Sequence, residues 1–345
     1  MTLQIANSTF LSVSKDVTTW FDHFDRGKMI KLPVVVAFKS LFKESGMKFS
    51  TKYIVIGLFA ITAIFSACAS GPAGKATVSP TEKNVKLGKG TVQVINFGNV
   101  TLHAYRTNDY LGDESYILEG KKSLVAIELP AFHSNLGEYI SYVKGLNKPL
   151  TDVMLSYHPT GADYLKEFSG VKIHATAASI KAWSDGGAIK GLVDSFTKTF
   201  GGDFDPSLPD VKADLAEGKT SIGGFDFVVS GNGDAYEIEI PAIRSIYVHM
   251  LGADVHSILA STAHMDATID HLKSFKAKNY TYILSSHYVP ETLAAVDAKI
   301  AYVEKAKSIA STAKTADEFI KEMKANFPKY QGENYLAMTA GMLYK

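Results

Sequence analysis

The feature that most constrains this chain is a pair of blocks. Each is a group of short β-branched and apolar runs followed by helical spacing. In the first block, "TVQVINF" and "VTLHAYR" are separated by Gly98 and Asn99, a turn signal, and "SYILEG" and "SLVAIEL" by the polar Lys121 and Lys122. Four short strands with tight turns read as an antiparallel sheet. "NLGEYISYVKGL" then places Leu136, Tyr139, Ile140, Val143 and Leu146 at helical spacing, "TDVMLSY" and "VKIHA" read as strands, and two helical stretches occupy roughly 176–199. In the second block the strands are "FDFVVS", "AYEIEIP" and "SIYVHML", followed by a helix near 264–277 and the strand "YTYILSS". Helical patterns run from Pro290 to about Phe327, and within them Thr315 is expected to cap a helix with Glu318 as its capping-box partner. Each sheet has a face to bury. The layered solution is a mixed α/β (α+β) fold, two sheets back to back with helices outside, an αββα sandwich of four layers.

Composition narrows the function. The 36 basic and 35 acidic side chains leave a formal net charge of +1, which argues against a nucleic-acid or other polyanionic partner. The single cysteine, Cys68, excludes an internal disulfide, a four-cysteine zinc site and a CxxC redox pair. There is no GxSxG, GxxxxGK[ST] or HExxH motif. "GGFDFVVSGNG" lacks the strand and helix context of a dinucleotide site and reads as a turn between strands. A serine nucleophile at Ser156 or Ser286 stays open, although sequence-adjacent Ser and His side chains point apart on a strand.

Residues 47–68, "MKFSTKYIVIGLFAITAIFSAC", combine a basic start, an uncharged apolar run and small residues before Cys68, the pattern of a secretory signal. The "FSAC" ending resembles a bacterial lipobox, with Phe65 where leucine is preferred. That resemblance implies cleavage after residue 67 and a lipid on Cys68. The expected organisation is an N-terminal extension over 1–46, either untranslated with the start at Met47 or a cytoplasmic piece that begins at Met1, then a signal over 47–67, a flexible Gly-, Ser-, Pro- and Lys-rich tether over 68–89, and a domain over 90–345. The expected location is the bacterial envelope, lipid-anchored on the periplasmic side or outer membrane.

The order of elements over 90–310 resembles the metallo-β-lactamase superfamily. "GDESYILEGKKSLVAIELP" is similar to that family's opening hairpin, which often ends in an aspartate where this chain has Glu128. "DVMLSYHPTGADYLKEF" sits where the HxHxDH loop is expected, "IPAIRSIYVHMLGADVH" resembles the segment with the Gly-Asp pair, and "YILSSHYVP" the last metal-binding turn. Much of the ligand set is replaced. His158 takes the place of the loop's second histidine, Asn232 falls near a later histidine, His249 at the bridging aspartate and His287 at the final histidine. The resemblance implies His158, His249 and His287 as candidate ligands for one zinc ion or as an acid–base group, or a pocket with no metal. Zinc held by three imidazoles with an open position is an established arrangement. Asp163, in the polar turn after His158, is a candidate catalytic carboxylate. Tyr157, His133, Asn232 and His256 are candidate pocket residues. His103, His174, His264 and His271 read as structural or solvated. Two functions follow as expectations: a hydrolase of a small ester or lactone, and a non-catalytic lipoprotein that keeps the fold to bind a ligand or partner.

Overall fold

The structure, a computed structural model, describes residues 80–344. The N-terminal extension, the signal stretch, Cys68 and most of the expected tether lie outside the described residues. Among the described residues no helix is long and apolar enough to cross a membrane.

The first sheet has seven strands in chain order: β1 (Thr81–Lys86), β2 (Thr91–Asn96), β3 (Thr101–Arg106), β4 (Glu114–Glu119), β5 (Leu124–Ile127), β6 (Leu150–Met154) and β7 (Lys172–His174). Strands β1 to β5 pair antiparallel. β6 and β7 are added in parallel, and α1 (His133–Gly145) makes the crossover from β5 to β6. The second sheet has the order β12-β11-β10-β9-β8. Its members are β8 (Gly218–Ile222), β9 (Phe225–Asn232), β10 (Ala235–Ile240), β11 (Ser245–Val248) and β12 (Tyr282–Ser285). Only β12 is parallel to its neighbour, and α4 (Thr262–Lys278) lies between β11 and β12 in the chain. The remaining helices are α2 (Ala177–Trp183), α3 (Ala188–Phe200), α5 (Leu293–Ala310), α6 (Ala316–Asn326) and α7 (Glu333–Leu343).

The period-two alternation of β5 shows how four layers arise. Val125 and Ile127 enter one core with Phe225, Phe227, Val229, Tyr236 and Tyr247 of the second sheet. Leu124 and Ala126 point the other way, against Leu136, Tyr139 and Val143 of α1. The second sheet repeats the pattern, with Ile246, Val248 and Ile283 packed on Leu272 and Phe275 of α4 and Val296 of α5. Central strands covered on both faces therefore read as continuous apolar runs.

Two differences from the sequence reading concern elements. β1 lies inside the stretch read as a flexible tether and pairs with β2 over its whole length. Its side chains are almost all exposed, so the backbone ladder, not burial, recruits it. The helix cap at Thr315 forms, its side chain accepting from the Glu318 amide at 3.2 Å, while Glu318 Oε2 accepts from Lys314 N at 2.7 Å, one residue before the cap.

Candidate metal centre

The three candidate ligands follow three different strands. His158 comes four residues after β6 ends, His249 directly after β11, and His287 two residues after β12. All three strands take part in parallel pairing, and their carboxyl ends bring the side chains together. One ring nitrogen from each lies within 4.8 Å of the other two. His249 Nε2 and His287 Nε2 are 3.3 Å apart, and the His158 ring centre is 4.7 Å from that of His287. All three are half-buried. Burial, followed by repulsion from His287, holds His158 well below the usual imidazole range. Burial, then His287 and His158, does the same for His249. Both shifts favour the neutral imidazole, the form that binds a metal.

Each ligand has its own support. Glu128 lies just beyond β5 in the left-handed region, at φ 58°, fully buried. Its Oε1 accepts from the amides of Ser156 at 3.2 Å and Tyr157 at 2.7 Å and from the Tyr247 hydroxyl at 2.8 Å, and its Oε2 from the His158 amide at 3.2 Å. One carboxylate thus shapes the turn that presents His158. Burial pushes its pKa up to about 7 against the pull of these donors. Tyr157 stacks flat on His249, ring centres 4.5 Å apart and 9° from parallel, and Asn232 Nδ2 donates to the Tyr157 hydroxyl at 2.9 Å. Ser286 N donates to the His249 carbonyl at 2.9 Å, which ties the turn after β12 to that after β11. The loop beyond His249 is clamped by Glu291, which accepts from the amides of Gly252 and Ala253, and by the buried Lys299, which donates to the Val255 carbonyl.

Behind the rings stands Asp113, 1% exposed. Its Oδ1 is 3.2 Å from His287 Nδ1 and 3.5 Å from His158 Nδ1, ion-pair distances rather than aligned hydrogen bonds, and neither oxygen has a hydrogen-bond partner. The next residue, Glu114, also has both oxygens buried and unbonded, with Arg106 Nη1 3.7 Å away.

The structure therefore brings together His158, His249, His287, Tyr157 and Asn232. It places the other candidates elsewhere. Asp163 is exposed on a 3-10 turn, Ala162–Glu167, with its carboxylate 2.7 Å from Lys166 Nζ, and is not among the groups at the histidines. The five-residue spacing from His158 includes Gly161 at φ 77°, which turns the chain outward. His133 is exposed at the start of α1. His256 is buried, its Nδ1 3.1 Å from the Tyr302 hydroxyl and its ring centre 5.7 Å from those of both Tyr302 and Tyr330, so it packs the loop on α5 instead of lining the centre. Neither serine offers a free nucleophile: Ser156 Oγ donates to the Tyr236 carbonyl and Ser286 Oγ bonds the Tyr247 hydroxyl. The histidines read as structural have partners of their own, such as Glu119 and Tyr142 for His103 and Asp152 and Asp214 for His174.

Asp113, Glu114 and Arg106 were not singled out from the sequence, and Glu128 was noticed only as a departure. The available signal was the acidic pair "DE" opening an apolar strand and a lone glutamate closing another, both where burial of charge needs a reason.

The donor set fits a borderline-soft divalent ion such as zinc, which takes neutral imidazoles, and fits the oxygen-preferring calcium or magnesium poorly. No family model matches the chain, and no curated protein does. Solved structures do. A metallo-β-lactamase family protein from Thermus thermophilus matches with TM-score 0.49 at 10% identity, covering 71% of this chain and 91% of its own. A sec-alkyl sulfatase, PisA1, matches with TM-score 0.47 at 15% identity over 70% of this chain, which spans about half, 49%, of the sulfatase. A metallo-β-lactamase from Pontibacter korlensis matches with TM-score 0.40 at 12% identity, covering 65% of this chain and 99% of its own. The chain's own sheets and cores define its class: a mixed α/β sandwich of four layers with a trihistidine cluster at the strand ends.

Proposed function

We propose that this chain is a metal-dependent hydrolase that holds one zinc ion with His158, His249 and His287 and cleaves a small ester or lactone. The observation that carries the reading is the meeting of three imidazoles from three separate strand ends within 4.8 Å. When bound, such an ion lowers the pKa of a coordinated water and polarises the bond to be broken. The chain's own residues do the rest. Glu128 fixes the turn that presents His158, and Tyr157 holds the plane of His249 by stacking. Burial and the Glu237 carboxylate keep the Tyr157 phenol protonated, so its hydroxyl is a donor as well as an acceptor beside Asn232. We propose further that the domain is displayed in the bacterial envelope, with a lipid on Cys68 as its membrane partner.

Metal content tests the proposal. The chain, purified without chelator, should carry about one zinc per chain, lost on His287→Ala, and radiolabelled palmitate should be incorporated through Cys68 and not in Cys68→Ser. Absence of metal even after incubation with zinc would overturn the hydrolase reading in favour of a non-catalytic lipoprotein that binds a ligand or partner.

A further inference from the structure

We propose that Asp113 is the positioning residue of this centre, a single carboxylate that orients two of its three ligands. The inference rests on the trihistidine reading above. An imidazole N–H donates, and a carboxylate oxygen turned toward it accepts. The ring nitrogens that face Asp113 Oδ1 are Nδ1 of His287, at 3.2 Å, and Nδ1 of His158, at 3.5 Å. A proton on each of these nitrogens would face the carboxylate, and both Nε2 atoms would then be left as lone pairs. For His287 the two ends of one ring are accounted for, Nδ1 at Asp113 and Nε2 3.3 Å from His249 Nε2. His249 is the exception. Among the described residues it has no carboxylate ion pair, and its ring is stacked on Tyr157.

Burial supports a purpose beyond stability. Asp113 is 1% exposed, and neither oxygen makes a hydrogen bond. Arg106, the nearby cation, lies against Glu114 and the His287 carbonyl. A buried carboxylate left without a strong partner costs free energy. A residue kept only for packing would be better as asparagine or an apolar side chain. Behind a pair of histidines that bind a cation, the same carboxylate orients the rings and raises their basicity.

The full-length chain tests this with two readouts, one free of metal. Zinc affinity is measured by competition with a chromophoric chelator for wild type, Asp113→Asn and Asp113→Ala. Tautomers are read from long-range proton–nitrogen correlations of histidine-labelled protein stripped of metal, with His158→Gln and His287→Gln to assign the signals. Wild type should show His158 and His287 as Nδ1–H tautomers, and Asp113→Ala should lose that pattern. The zinc dissociation constant should rise about 10- to 100-fold in both Asp113 variants. The melting temperature in chelator should not fall in Asp113→Asn, which separates positioning from a plain structural role. Equal zinc affinity in wild type and both variants would overturn the inference, as would Nε2–H tautomers at both rings in the metal-free wild type. If wild type binds no zinc, the hydrolase reading fails, and the tautomers alone decide whether Asp113 orients the pair.

Discussion

Glu114 opens β4 with both carboxylate oxygens buried and unbonded. Burial pushes its pKa up to about 8, against the opposing pull of Arg106. In the unfolded chain the same group titrates near 4.5, its ordinary value. Between those two pH values the folded state binds more protons than the unfolded one, so this group's contribution is present below about 4.5 and lost as pH rises through about 8. The expected outcome is a loss of stability of up to about 1.4 kcal/mol per pH unit from this group across that window. Glu114→Gln, which mimics the protonated carboxyl, should flatten the dependence and be the more stable protein at pH 8. Urea unfolding of both proteins from pH 5 to 8 would measure it, and parallel curves would refute the assignment. Residues of this kind were the least legible in the sequence. The ligands His158, His249 and His287 could be picked out because a histidine after an apolar strand is a visible signal. Asp113 and Glu128 act through burial and through partners such as His287 and Tyr247, distant in the chain, and no local pattern encodes those meetings.

The turn "HPTGADYL" between β6 and its 3-10 segment shows how one element sets the site. Gly161 has φ 77°, and a Cβ there would stand 2.4 Å from the Pro130 carbonyl oxygen, a backbone atom that cannot easily yield. The chain crosses closely at this point because Pro130 and His158 belong to the two stretches joined by Glu128. Gly161→Ala is expected to cost about 2 kcal/mol or more, from left-handed strain and the clash together. It should also weaken zinc binding by displacing His158. Thermal melts with and without zinc would measure both, and unchanged values in the two would count against this account of the turn. At this scale the sequence was most informative. The apolar runs of β2 to β6 and β9 to β12 and the helical spacing of α1, α4 and α5 are where the reading placed them. β1 was missed because "TEKNVK" carries no buried alternation; only Val85 is half-buried. It is an edge strand whose Lys83 and Lys86 suit an exposed position. β8, "GKTSI", is polar in the same way and lies at the edge of the other sheet.

For the whole molecule, four layers were legible because two blocks of strands and helices leave few other ways to bury two sheets. Which strand ends meet was not legible, since that depends on how β6 of one sheet stands against β11 and β12 of the other. That division has a mechanical consequence. His158 is carried by the first sheet, and His249 and His287 by the second. An ion gripped by all three would be a rivet through the sandwich, and the two sheets could not slide or peel apart without releasing it. Unfolding in guanidinium should therefore be slower with saturating zinc than with chelator, while refolding, which precedes assembly of the complete rivet, should change little. Stopped-flow unfolding and refolding traces under both conditions would decide it, and equal unfolding rates would exclude the rivet. If the rates differ, the lifetime of the native sandwich is set by how tightly the rivet is held.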